Sequence, residues 1–146
     1  MNYLRYAGVF IGFAVGVALL VLALNRWADA NLGSSAQLLA PAMVAAVIEG
    51  RYFARSQTRK PTTAEAWNFA LMATVLAVML NLMLSYAASR LMPEFAKLTI
   101  APFASQQFVT LLGLYGLGYL LSNRFFFGLG ARTELDRQTR GAGPAK

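Results

Sequence analysis

The sequence predicts an all-α protein, an integral membrane four-helix bundle with both termini in the cytoplasm. Three observations carry this expectation. The 146 residues are 58% hydrophobic and only 13% charged, about half the charged fraction usual in a soluble domain. The apolar residues collect in four runs near bilayer length. The 13 Lys and Arg outnumber the 6 Asp and Glu, and they flank those runs unevenly. The length predicts one domain, read as a helical unit over 1–130 and a polar cytoplasmic tail over 131–146.

A bilayer core about 30 Å thick needs about 20 apolar residues in a helix. The first span is expected at about 6–24 and contains no charge. A turn at Gly33, Ser34 and Ser35 leads to a second, Ala-rich span at about 35–53, whose apolar stretch is short. Pro61, Thr62 and Glu65 mark the start of a third span at about 66–87, because Thr-x-x-Glu is the spacing of a capping box. Trp67 is placed to anchor that span at headgroup depth. The fourth span, about 103–123, begins just after Pro102. The segment 89–102 is too apolar for an ordinary loop and too short to cross, and reads as interfacial or as an irregular loop. Residues 141–146 read as disordered.

Positive charge resists translocation, so the Lys/Arg distribution orients the spans. Arg5, Arg51, Arg55, Arg59, Lys60, Arg124, Arg132, Arg137, Arg140 and Lys146 fall on one side, and Arg26, Arg90 and Lys97 on the other. The richer side is expected in the cytoplasm. A rival reading makes the first run a signal peptide cleaved near Ala28-Asp29-Ala30, but the run exceeds the usual apolar length of about 7–15 residues.

Lipid supplies no hydrophobic drive between helices, so small residues that let backbones approach become a main source of association. Gly8, Gly12 and Gly16 fall on one face of the first span, and Ala42, Ala46 and Gly50 on one face of the second. These strips are expected to pack against each other, with a homodimer seam as the alternative. Ala73, Ala77, Asn81, Ser85 and Ser89 form an inward face of the third span, and Gly113, Gly116 and Gly118 allow a close crossing of the fourth.

The absence of Cys and His removes thiolate and imidazole metal sites, Cys nucleophiles and imidazole triads. No catalytic residue, cofactor-binding residue or metal ligand is assigned, and no enzyme is expected. Glu49 is the one acidic residue within an apolar run, and near the boundary it is expected to pair with basic neighbours rather than to couple transport. Asn81 is expected to make an interhelical hydrogen bond. Arg51, Arg55, Arg59, Lys60 and Arg124 are read as topology and anionic-lipid contacts. A nucleic-acid partner is not expected, since these cations flank apolar runs instead of covering a soluble face.

The loop Arg59-Lys60-Pro61-Thr62-Thr63-Ala64-Glu65-Ala66-Trp67 and the stretch Arg124-Phe125-Phe126-Phe127-Gly128-Leu129-Gly130 resemble a family of small, functionally uncharacterised four-span bacterial inner-membrane proteins with an Arg-x-Pro-Thr-x-x-Glu-x-Trp loop. The resemblance implies inner-membrane location and layout, and supplies no activity. The chain departs from small multidrug exporters, which carry a carboxylate in the first span, and from the Gly-Asn-rich pattern of fluoride channels. The functional expectation is a non-enzymatic protein that binds a membrane protein partner through its helices. The specific form expected is an immunity protein neutralising a membrane-targeting or pore-forming bacterial toxin. The alternatives are a small dimeric transporter or channel, and an accessory subunit of a membrane complex.

Overall fold

The structure is a computed structural model that describes residues 1–28, 36–87 and 105–141. Four α-helices and no strands occur among these residues: α1 (Tyr3–Ala28), α2 (Ala36–Gln57), α3 (Thr63–Ala87) and α4 (Gln106–Gly141). The expected turn at Gly33 to Ser35, the segment 89–102 and the end of the tail after Gly141 lie outside the described residues.

The helix ends follow from local chemistry. The Asn2 side chain accepts the amide hydrogens of Leu4 (3.1 Å) and Arg5 (3.3 Å) and so caps α1. Thr58 takes a φ of 50° and its amide returns to the Ala54 carbonyl at 2.9 Å, closing α2 with a left-handed residue. The expected capping box starts α3: Thr62 N–H donates to Glu65 Oε2 at 2.8 Å, and Glu65 N–H donates to Thr62 Oγ1 at 3.3 Å. Ser105 caps α4 by accepting the Phe108 amide at 3.1 Å.

Neighbouring helices run in alternating directions. The start of α1 meets the end of α2 through Arg5 and Glu49, and the start of α3 meets the later half of α4 through Phe69 and Phe127. α2 and α4 are parallel to each other, with Leu39 against Gly118 and Val47 against Gly130. The core is small and aromatic. Tyr6, Phe10, Phe53, Phe69 and Phe127 interlock with Ala42, Ala46, Ala73 and Ala77, and the Phe69 and Phe127 rings stack at 4.2 Å between centroids.

The closest approach is between α2 and α4. A Cβ at Gly50 would strike the Phe127 carbonyl oxygen and come within 3.0 Å of the Ala131 amide, while one at Gly130 would strike the Val47 carbonyl. The two glycines let the backbones touch. This corrects the pairing expected for the Ala42, Ala46 and Gly50 strip, since Gly50 faces α4 and not the glycines of α1. Gly8, Gly12 and Gly16 lie on the outer surface with nothing within 4 Å of their added Cβ positions. Gly113 and Gly116 likewise meet nothing, whereas Gly118 receives Leu39 at 3.4 Å. Of the three glycines expected to allow a crossing, only Gly118 meets a neighbour, the Leu39 side chain, and the backbone contact itself is made further along α4, at Gly130.

Among the described residues, two helices are long and apolar enough to cross a membrane, α1 over Tyr3–Leu20 and α3 over Thr63–Tyr86. α2 is diluted by Gln37, Pro41, Glu49 and Arg51, and α4 by glycines, tyrosines and its polar ends. The tail also differs from expectation over its first residues. α4 continues to Gly141, and Ala131 and Glu134 are buried, so residues 131–141 extend the helix instead of leaving it.

These contacts predict opposite outcomes for two glycines only two residues apart on α4, which lie on different faces of the helix. Gly130→Ala forces the backbones apart and costs on the order of 1–3 kcal/mol, as overpacking does. Gly128→Ala meets nothing within 4 Å and leaves stability unchanged or slightly higher, since alanine favours helix by roughly 1 kcal/mol over glycine. Thermal unfolding of the two variants in detergent measures the difference.

Candidate functional site

The polar residues of the described chain form two groups, a ladder through the core and a set of ion pairs at one end of the bundle. The ladder begins at Tyr6 on α1, whose hydroxyl donates to Asn123 Oδ1 on α4 at 2.9 Å. Asn123 Nδ2 donates in turn to Thr74 Oγ1 on α3 at 3.4 Å. One turn away, Asn81 on α3 donates to the Tyr119 hydroxyl on α4. Asn81, Ser85, Asn123 and Tyr119 are all buried, which places the expected polar face of α3 inward. Burying an amide without a partner costs about 1–3 kcal/mol by mutational measures, so these bonds determine which rotation of each helix is tolerated.

At the charged end, Glu49 is 1% exposed and is clasped by Arg5, with Nε to Oε1 at 2.5 Å and the second pair at 3.1 Å. The Asn2 amide donates to Oε2 of the same carboxylate at 3.1 Å. The Arg5 guanidinium also lies 3.6 Å from the centre of the Tyr52 ring. Glu49 therefore pairs as expected near a boundary, but its partner comes from α1 and not from Arg51. The pair is asymmetric, because the Arg5 side chain is 31% exposed. Loss of Glu49 leaves Arg5 able to reach solvent, whereas loss of Arg5 strands a buried carboxylate.

Two further pairs complete this end. Arg55 on α2 holds Glu134 on α4 by two hydrogen bonds of 2.7 and 3.2 Å. Arg59 holds Glu65 by two of 2.8 and 2.7 Å, locking the capping box to the α2–α3 connection. Arg55 and Arg59 are therefore engaged inside the protein, which narrows the lipid role expected of them. Arg51 is exposed and borders an apolar groove of about 420 Å³ with Val44, Val47 and Phe126. Lys60 and Arg124 border a separate cavity with Arg132.

Sequence reasoning missed Arg5, Tyr6, Asn123 and Glu134. A signal for two of them, Asn123 and Glu134, existed. Tyr119, Asn123, Phe127, Ala131 and Glu134 recur at helical spacing and are all buried, a single face running from the apolar half of α4 into its charged half. No family model matches the chain, and no curated protein or solved structure matches it.

The Arg55–Glu134 pair predicts an acid-sensitive fold. Its hydrogen bonds with Arg55, helped by the charges of Arg55, Arg137 and Arg51, hold the Glu134 carboxyl below its ordinary value of 4.5 against the opposing effect of burial. A carboxylate lowered in the folded state contributes stability that is present above its unfolded pKa and lost as pH falls through the folded one. Glu134→Gln should unfold at a lower temperature near neutral pH and show a flatter decline than the parent below about pH 4.5. Thermal melts across acid pH record both slopes.

Proposed function

We propose that the chain is a multi-pass inner-membrane protein, with the charged end of the bundle in the cytoplasm, that acts by binding a helix of another membrane protein. The observation that carries this reading is the exposed strip Gly8, Gly12 and Gly16 on α1. Within this same molecule, Gly50 and Gly130 show what a glycine used for helix contact looks like, with a neighbouring backbone occupying the space of the missing Cβ. The α1 glycines hold the same kind of surface open, flanked by exposed Leu4, Ile11 and Leu19. A helix from outside the chain can lie against such a strip with its backbone close.

Several features support membrane insertion with this orientation. α1 and α3 are each long and apolar enough to cross, and their outward side chains include Leu71, Met72, Val75, Met79 and Met83. Arg5, Arg51, Arg55, Arg59, Lys60, Arg124 and Arg132 gather at the end where α1 and α3 start and α2 finishes, in keeping with the positive-inside rule. α4, with 36 residues, is about 54 Å long at 1.5 Å per residue, so its charged half extends beyond a bilayer core of about 30 Å. With α2 and α4 less apolar than their neighbours, their packing inside the bundle is what makes four crossings acceptable.

The binding role is favoured over transport because the groups that would line a route are committed to one another. Glu49 is tied to Arg5 and Asn2, and Asn81 to Tyr119. Neutralisation of a membrane-inserting toxin is the form of partner binding that this make-up suits, requiring a helix-accepting surface and no reaction.

A photoreactive side chain introduced at Gly12 tests the proposal in growing cells. The expected result is one discrete adduct with another membrane protein, lost when Gly8 and Gly16 are both changed to Leu while helicity and membrane insertion are retained. An adduct only with a second copy of the chain would replace a foreign partner by self-association. No protein adduct at all would overturn the reading.

A further inference from the structure

A cavity of about 170 Å³ opens between the start of α3 and the middle of α4. Its wall includes Lys60, Thr62, Thr63, Arg124, Gly128 and Arg132. Three of these side chains are cations and none is acidic. The nearest carboxylate at this helix start, Glu65, is fully engaged by Arg59 and Thr62. By contrast, three other arginines of this end each meet a carboxylate: Arg5 with Glu49, Arg55 with Glu134 and Arg59 with Glu65.

The chemistry of the cavity is therefore that of an anion site with no acidic side chain among its described lining residues. Arg124 is the lining cation with an unmet donor. The Nε atom of Arg124 is buried and has no hydrogen-bond partner, a costly state for a donor unless a ligand meets it. The guanidinium carbon stands 5.3 Å from the centre of the Trp67 ring, which holds the side chain without using its donors. The first turn of α3 adds the positive end of a helix dipole, and Gly128 keeps that part of the α4 wall free of a side chain. A water claims about 30 Å³ in the liquid, so the space is large enough for a phosphate group and its nearest hydration.

We infer that this cavity binds a phosphate group through Lys60, Arg124 and Arg132. An anionic phospholipid headgroup is the source best matched to the surroundings. Trp67, Leu71 and Leu121 are exposed on the same two helices, one turn or less from Arg124 or Trp67 along their faces, and offer apolar surface for acyl chains beneath the phosphate. Basic pockets between helices at the cytoplasmic side are a recurrent form of lipid headgroup site. The lipid source rests on the proposed membrane location, while the phosphate chemistry of the cavity does not.

Trp67 gives the test a built-in reporter. In a Trp27→Phe background it is the one remaining tryptophan. The detergent-solubilised protein is titrated with short-chain phosphatidylglycerol, with short-chain phosphatidylcholine and with inorganic phosphate, following Trp67 emission. Saturable change with phosphatidylglycerol and little with phosphatidylcholine is expected. Lys60→Ala and Arg132→Ala should each weaken the apparent affinity by about fivefold, the worth of one cation near an anionic headgroup. Both side chains are exposed, so circular dichroism should show the fold unchanged. Arg140→Ala, remote from the cavity, should bind like the parent. A saturable response to inorganic phosphate with the same variant dependence supports the site and makes its source a soluble phosphate. A chain that stays in solution without detergent removes the membrane location but leaves that phosphate titration valid. No saturable response to either anion, an equal response to phosphatidylcholine, or affinities indifferent to Lys60 and Arg132 overturn the inference.

Discussion

The contact of α2 and α4 backbones at Gly50 and Gly130 determines where every other side chain of α4 falls. A helix held at one point by backbone contact can neither slide nor rotate far without a collision. With Gly130 against Val47, the face bearing Tyr119, Asn123 and Phe127 turns into the core. The same register brings Glu134 to Arg55 and Phe127 under Phe69. Alanine at either glycine removes the condition on which these contacts rest.

The polar groups then sort by what surrounds them. Those within the apolar part of the bundle satisfy each other across helices, Tyr6 with Asn123, Asn123 with Thr74 and Asn81 with Tyr119. Such bonds are modest individually, averaging about 0.6 kcal/mol where they have been measured in a membrane protein. Their larger effect is to penalise any rotation that would leave an amide unpaired. The charged groups are collected at one end, where three arginines each meet a carboxylate and where Lys60, Arg124 and Arg132 do not. That contrast separates the cations that hold the fold from those that remain for a ligand.

The helical class, the four-element layout, the capping box at Thr62 and Glu65, and the inward face of α3 were legible in the sequence because each follows from local spacing. The pairing of strips was not. GxxxG spacing shows that a face is small, and does not show which neighbour uses it. Gly8, Gly12 and Gly16 carry the more regular pattern but stay open, while the isolated Gly50 and Gly130 make the crossing. The extent of α4 was misread because charge after Asn123 resembles a tail, although the buried face continues through Phe127, Ala131 and Glu134. Arg5 was overlooked as the partner of Glu49 because the two are 44 residues apart, a separation that only the antiparallel pairing of α1 with α2 closes.

The central claim is that this bundle lies across a membrane with its charged end inside the cell. The chain has no cysteine, so single cysteines placed at Gln107 and Thr139, near the two ends of α4, report directly on the two ends. A membrane-impermeant maleimide applied to spheroplasts should label Gln107→Cys at once and Thr139→Cys only after the membrane is opened. Labelling of both before opening, or of Thr139→Cys alone, would contradict the account.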